Sequence, residues 1–213
     1  MISTNRLLAS KIRPAAVFIL LGAVLLGAVL LGACAVAPTA GPPGERWALR
    51  RAALTALQDW SLTGNMGVLT EQQGWHASFQ WTQEGQRYRI DLIGPFGQGR
   101  VRIEGDAQGV RVRTAAGQVL TAADPEQLLA DAVGVRIPVD GLSYWVRGLP
   151  DPHRRSVLAD DGLGRLTRLE QGGWVVEYPR YMSVAALELP AQIRARKGDL
   201  NVKIVIQQWD LPG

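Results

Sequence analysis

Between Trp60 and Trp209 the chain is written mostly in twos. Trp75, Ala77, Phe79 and Trp81 alternate with His76, Ser78, Gln80 and Thr82, and Tyr88, Ile90 and Leu92 with Arg87, Arg89 and Asp91. The same period sets Val101 and Ile103 against Arg100, Arg102 and Glu104, and Val110 and Val112 against Arg111 and Arg113. Gly94-Pro95, Gly105-Asp106 and Ala116-Gly117 punctuate these runs as turns. Further runs at Ser156–Ala159, Leu166–Gln171, Trp174–Tyr178, Gln192–Arg196 and Asn201–Trp209 read as strands, with Gly172-Gly173 closing a hairpin. Strands with one apolar and one polar face, joined by short connections, predict an antiparallel meander.

Three stretches break that period. Glu45 to Asp59 reads as a helix, with Trp47, Leu54 and Leu57 on one side and no internal glycine or proline. A second helix starts at Asp124-Pro125, an N-cap residue followed by proline at the first helical position, carries Leu128, Leu129 and Ala132, and stops at Gly134. A third runs from Asp140 to Arg147 with Leu142, Trp145 and Val146, ending at Gly148 before Pro150. A sheet of about eleven strands with one apolar face must cover that face, and the helices are few. The pattern therefore predicts a mostly β protein: a curled antiparallel sheet forming an unclosed barrel, its inner apolar face covered by helices. That shape leaves room for an apolar cavity and a fatty ligand.

The beginning of the chain follows other rules. Arg6, Lys11 and Arg13 precede an uncharged stretch from Pro14 to Ala33, the organisation of a secretory signal. A retained membrane span is the competing reading, since twenty apolar residues just cross a bilayer. Leu31-Gly32-Ala33-Cys34 weighs against it, because it looks like the lipobox of bacterial lipoproteins, in which the cysteine is lipidated and becomes the mature N-terminus. Cys34 is the chain's one cysteine, and Ala35 to Gly44 behind it reads as a flexible tether. The expectation is a lipid-anchored protein with Ala35, not an inner-membrane-retaining aspartate, after the cysteine, hence anchored in the outer membrane and facing the periplasm.

That cut changes the charge. The full chain of 213 residues has 23 Lys+Arg, 19 Asp+Glu and a net charge of +4. The leader's three charges are all basic, so 20 basic and 19 acidic residues remain, a net +1. One cysteine excludes an intramolecular disulfide and a multi-thiolate zinc site, and two histidines make a histidine-rich metal centre improbable.

Candidate chemistry is sparse. There is no Gly-x-Ser-x-Gly elbow, P-loop or His-Glu-x-x-His, so no catalytic residue, metal ligand or cofactor is assigned beyond a covalent lipid on Cys34. His76 and His153 read as solvated surface residues, and Asp160-Asp161-Gly162 as a hairpin turn. Arg87, Arg89, Arg100, Arg102, Arg111 and Arg113 form a basic strip on the polar face if their strands are neighbours. A nucleic-acid role does not suit an exported protein of net charge +1; a solvated face with interspersed acids comes first, and contact with acidic lipid headgroups or an acidic partner second. Gly94-Pro95-Phe96-Gly97 fits a type I turn with Phe96 at its tip, where the ring either folds back onto the core or meets another surface.

The order of these features resembles the LolB family of outer-membrane lipoproteins, which receive other lipoproteins in the periplasm. The lipobox, the amphipathic helix and a Trp-ending strand precede the Gly94-Pro95-Phe96-Gly97 loop; Asp124-Pro125-Glu126-Gln127-Leu128-Leu129, Ile137-Pro138-Val139 and Tyr144-Trp145-Val146-Arg147-Gly148-Leu149-Pro150 follow it. The resemblance implies an unclosed barrel with a helical lid, a soluble periplasmic carrier of the LolA type as donor, and cargo lipoproteins whose acyl chains enter the cavity on their way to the outer membrane, with no enzyme activity. The family's protruding loop carries a leucine after Asn-Pro; Phe96 stands at that position here, Gly94 replaces the asparagine, and Pro95, Phe96 and Gly97 become the expected membrane-insertion loop. Phe79, Trp81, Tyr88, Ile90, Leu92 and Trp145 are the residues expected to line the cavity, with a dry core as the alternative for any of them. The resulting division is a removed signal peptide at 1–33, a lipidated N-terminus and tether at 34–44, and one acyl-binding domain at 45–213, acting as a monomer. A different class of function, an adaptor lipoprotein with a filled core that binds a partner through its arginine face, predicts no acyl binding.

Overall fold

The computed structural model describes residues 43–94, 99–122, 127–128 and 138–212. All of them fall in the unit Gly41–Gly213. Cys34, the expected leader and residues 34–42 of the expected tether therefore lie outside the described residues, as do Pro95, Phe96 and Gly97, whereas Pro43 and Gly44 already belong to the first helix.

Eleven strands form one antiparallel sheet: β1 (Asp59–Leu69), β2 (Gly74–Glu84), β3 (Arg87–Ile93), β4 (Arg100–Asp106), β5 (Gly109–Arg113), β6 (Val119–Ala122), β7 (Ser156–Asp160), β8 (Leu166–Gln171), β9 (Trp174–Val184), β10 (Leu187–Lys197) and β11 (Leu200–Asp210). Their order is β6-β5-β4-β3-β2-β1-β11-β10-β9-β8-β7, so the first and last strands of the domain pair at its centre and the sheet does not close. Helix α1 (Pro43–Ala56) precedes β1, and α2 (Val139–Val146) stands between β6 and β7. The mostly β, unclosed architecture is the expected one.

Alternation decides which face is buried. Trp60, Leu62, Met66 and Val68 of β1 point into the core with Ala77, Phe79 and Trp81 of β2, while the residues between them meet solvent or the outer surface. A one-residue slip would turn every such side chain over. One slip is built in. Thr63 pairs with Gln208 but Gly64 pairs with Ile206, a bulge that makes Gln207 the extra residue. Beyond it the phase of β11 reverses, and Trp209 turns inward as Val202, Ile204 and Ile206 do. Gly64 is needed there, since a Cβ on it would stand 2.2 Å from the Val205 carbonyl oxygen.

The turns follow their chemistry. Gly172 and Gly173 both have positive φ, 60° and 80°, as a two-residue hairpin demands. In the β7–β8 turn the Gly162 and Leu163 amides donate to the carboxylates of Asp160 and Asp161, so that acidic pair serves the turn. The β4–β5 turn is at Ala107-Gln108, and Gly105 lies within β4 instead of in the turn.

Helix α2 spans Val139–Val146, within a residue of expectation, and ends in a Schellman motif: Gly148 N–H donates to Trp145 O and Leu149 N–H to Tyr144 O, with Gly148 at φ 78° and Leu149 buried. Of the helix expected from Asp124, Gln127 and Leu128 are described; both are helical and Leu128 is buried in the core.

Candidate functional site

Five of the six expected cavity residues form one patch. Phe79 pairs with Leu92 and Trp81 with Ile90 across β2 and β3, and Tyr88 lies opposite Gln83. The patch continues onto β4, where Ile103 faces Ile90 and Val101 faces Leu92. Phe79, Trp81 and Ile90 are buried, Leu92 and Tyr88 half-buried. Trp145 shares the interior, but it lies on the other side of the sheet order: its ring packs against Trp174 of β9 at 5.8 Å. Strands β1, β11 and β10 stand between these two groups.

Tyr88 also borders an opening. A solvent-accessible cavity of about 710 Å³ is lined by Tyr88, Val110 and Ala122 together with charged residues of the outer face such as Arg87, Arg89 and Arg111. The Tyr88 ring lies across Gly105, its partner on β4; a Cβ there would stand 2.4 Å from the ring. The other five expected cavity residues lie off this lining: Phe79, Trp81, Ile90 and Trp145 in the core, and Leu92 packed against it.

Two polar side chains hold the helices over the sheet, and neither stood out in the sequence. Gln171, 3% exposed, uses its whole amide. Its Oε1 accepts from Trp145 Nε1 at 3.0 Å and from the Asp151 amide at 2.9 Å; its Nε2 donates to Asp151 O at 2.9 Å and Arg154 O at 3.0 Å. This clamp fixes α2 and the segment after it to the end of β8. Arg147 does the same for α1. Its Nη1 donates to Leu57 O at 2.7 Å and Leu54 O at 3.3 Å, its Nε to Ser143 O at 3.0 Å, and its guanidinium stacks 5.2 Å from the Tyr144 ring. The carbonyls at the end of a helix lack partners within it, and a cation there also suits the helix dipole. Burial pushes the Arg147 pKa below the ordinary arginine value, with the Tyr144 ring acting in the opposite sense.

Helix α1 is fastened again at its start. Arg46 Nη1 donates to Gly162 O at 2.8 Å, Arg50 donates to Glu188 O, and Gly164 leaves room for the backbone of Arg46 and Trp47, which a Cβ would meet at 3.0 Å. Arg50 and Arg165 flank the Tyr181 ring, whose hydroxyl donates to Leu166 O. Both helices are thus pinned to the β8–β10 half of the sheet. Leu128, of the segment between β6 and α2, is also buried in the core.

Among the described residues five buried side-chain atoms have no hydrogen-bond partner, and two of them, Trp60 Nε1 and the Tyr178 hydroxyl, belong to residues of the core. The Trp60 ring packs against those of Trp81 and Trp209, with centroids 5.2 and 5.4 Å away. Those neighbours do have partners: Trp81 Nε1 donates to Gln83 and Trp209 Nε1 to Pro190 O. The second atom is the Tyr178 hydroxyl, whose residue is 4% exposed; burial raises its pKa well above the ordinary tyrosine value. Buried donors left unpaired cost about 1–3 kcal/mol each, so they are uncommon in a core that serves packing alone.

On the outer face the six arginines do form a strip, because β3, β4 and β5 are neighbours. Acids are interspersed: Arg89 meets Glu104 at 2.9 Å and Arg102 meets Asp91 at 2.8 Å. His76 and His153 are exposed.

Comparison with known proteins agrees with this geometry. Residues 58–209 match the family model described as outer membrane lipoprotein LolB. The chain is 35% identical over 175 residues to the outer-membrane lipoprotein LolB of Nitrosococcus oceani, covering 82% of this chain and 87% of that one. It is 38% identical over 172 residues to the protein of the same name from Halorhodospira halophila, covering 79% and 85%. Among solved structures it resembles a LolA superfamily protein from Nitrosomonas europaea, with a TM-score of 0.52 at 10% identity, over 82% of this chain and 95% of that one. A DUF1329 family protein from Desulfovibrio piger gives 0.51 at 10% identity, over 80% and 93%. At that identity the likeness concerns the fold.

Proposed function

The chain belongs to the LolB family of outer-membrane lipoproteins, and on that premise we propose how its own residues perform the receptor's work. It receives lipoproteins from a carrier of the LolA type and inserts them into the outer membrane; it is no enzyme. Cys34 carries the lipid anchor, and the domain acts as a monomer. The observation that carries the site assignment is the apolar inner face, continuous from β2 to β4 through Phe79, Trp81, Ile90, Leu92 and Ile103, under helices pinned to the opposite half of the sheet.

That asymmetry gives a route. Acyl chains spread over Ile90, Leu92, Phe79 and Trp81, beside the half-buried Tyr88, while Trp145 stays clamped to Gln171. Each methylene moved out of water contributes about 0.8 kcal/mol wherever it goes, so direction comes from a difference in affinity: the cavity must hold chains better than the carrier does and less well than the bilayer. No nucleotide is required. Phe96, in the segment that joins β3 to β4, enters the membrane during release.

The test is transfer itself. Full-length lipidated protein in vesicles is offered a carrier–lipoprotein complex, and cargo appears on the receptor and then in the bilayer. If no cargo leaves the carrier, the receptor reading is wrong.

The unpaired donors add a finer expectation. Tyr178 and Trp60 supply the hydrogen bonds that an ester carbonyl of the cargo's lipid needs inside an apolar cavity. Tyr178→Phe removes a hydroxyl that no atom of the described residues uses, so its melting temperature is equal to or above wild type, while retention of cargo in a competition assay falls about threefold to tenfold. Unchanged retention would remove Tyr178 from the site and leave it as core.

A further inference from the structure

The outer face beside the β3–β4 connection holds more positive charge than it neutralises. Arg102 of β4 and Arg113 of β5 are directly opposed in the register. Like charges in that position repel unless an anion lies between them. Arg100, two residues before Arg102, adds a third cation on the same face. Among the described residues the ion pairs of this group run to one carboxylate: Arg102 binds Asp91 through both oxygens, at 2.8 and 3.2 Å, and Arg100 reaches the same residue at 3.9 Å. Glu104, the other acid that acts on Arg102, is already held by Arg89 at 2.9 Å, so the group keeps an excess of positive charge. The Arg100 side chain is 60% exposed and that of Arg102 35%, whereas Asp91 is covered.

The three arginines wall an open hollow of about 350 Å³ with Thr114, Ala115 and Gly117. Thr114 Oγ1, of a residue in that wall, is buried and has no hydrogen-bond partner among the described residues. Guanidinium groups present paired donors that match tetrahedral oxyanions, and a free hydroxyl completes such a set.

Position names the occupant. Arg100 opens β4 directly after the connection, whose ends are joined by Gly94 N–H donating to Gly99 O at 3.1 Å, and Arg113 closes β5 at the same end of the sheet. This is the end that carries Phe96. β2 and β11 also begin there, and Arg194, Arg196 and Lys203 border a second outer-face hollow of about 600 Å³ beside exposed Leu69. We propose that Arg100, Arg102, Arg113 and Thr114 bind the phosphate of an anionic phospholipid headgroup, docking this end of the domain on the bilayer that receives the cargo. The site rests on the protein's residence at a membrane and goes beyond cargo acceptance: it orients the domain so that the loop meets lipid.

The experiment uses full-length lipidated protein in vesicles of phosphatidylcholine alone or mixed with phosphatidylglycerol, each with a trace of lipid bearing a photoactivatable headgroup. Cross-linked peptides are mapped by mass spectrometry. Cross-linking to β4 and β5 rises with phosphatidylglycerol, falls in molar salt, and drops about fivefold for each arginine removed. Arg100→Gln with Arg113→Gln brings it to the phosphatidylcholine level. This pair spares the bidentate Arg102–Asp91 bond, and circular dichroism confirms the fold. Equal cross-linking with and without phosphatidylglycerol, or an unaffected double variant, overturns the proposal. So does a double variant that keeps its lipid contact but loses binding to the carrier, since the face would then serve an acidic protein. Cargo acceptance, measured on the same vesicles, reports separately on the receptor reading. Its absence beside intact phosphatidylglycerol dependence would contradict that reading and leave this site standing.

Discussion

Replacing Gln171 by leucine lowers the melting temperature by roughly 10 °C. Leucine fills the volume and satisfies nothing. The Trp145 indole N–H, the Asp151 amide and the carbonyls of Asp151 and Arg154 all lose their partner at once. Each stranded group costs about 1–3 kcal/mol when water cannot reach it, and the leucine's own burial returns part of the sum. A net loss of about 4 kcal/mol corresponds to about 2–4 °C per kcal/mol in a domain of this size. The same change frees Trp145, so the near-ultraviolet circular dichroism of the tryptophans changes with the melting temperature and cargo acceptance becomes slower. A melting temperature within about 2 °C of wild type would show that water serves these groups and that the clamp does not hold α2.

Phe96→Glu separates acceptance from delivery. The residue lies outside the described part of the fold, but the Gly94–Gly99 hydrogen bond fixes both ends of the connection that carries it. A phenylalanine moved from water into an apolar layer gains about 1.5–3 kcal/mol, and a charged glutamate forfeits that gain and resists entry. Insertion of the loop therefore becomes at least about a hundredfold less favourable, and delivery of cargo to vesicles falls at least about tenfold. Acceptance from the carrier stays within about twofold of wild type, because the proposed acyl site is made by other residues, and cargo accumulates on the receptor. Phe96→Leu, which installs the residue the family carries there, delivers normally. Delivery by Phe96→Glu at the wild-type rate would remove the loop from the mechanism while leaving the receptor intact.

Alternation carried most of the architecture because one buried face leaves little freedom of register. Phe79, Trp81, Ile90 and Leu92 could be grouped before any coordinates were known. The errors fall where the chain departs from regular pairing. The alternation predicts one strand ending at Tyr178 and the next beginning at Gln192, yet β9 runs to Val184 and β10 starts at Leu187. Tyr181 pairs with Pro190 and Arg180 with Gln192, so Ala191 is an extra residue, and proline is tolerated where the ladder already slips. Strand β6, four residues with one large aliphatic facing half inward, carries too short an alternation to be noticed.

The site was legible in its apolar part and hidden in its polar part. Arg147 was within a quoted motif, but nothing in the sequence says that it caps a helix some ninety residues earlier. Gln171 did leave a trace: it follows Leu169 on the inward face of β8, a polar residue where the alternation asks for an apolar one. Such an exception marks a side chain with a specific partner, and here the partners are spread from Trp145 to Arg154.

The most direct measurement of the central claim is photo-cross-linking of cargo from defined positions in the sheet. A benzophenone amino acid at Leu92, on the inner face, is compared with one at Arg89, three residues earlier on the outer face. Full-length receptor is loaded with lipoprotein whose acyl chains are radiolabelled, irradiated, and digested. The account predicts label at position 92 and none above background at position 89, with the Leu92 signal disappearing once cargo has moved into vesicles. Equal labelling at both positions, or labelling at 89 alone, would contradict an acyl site on the inner face of the sheet.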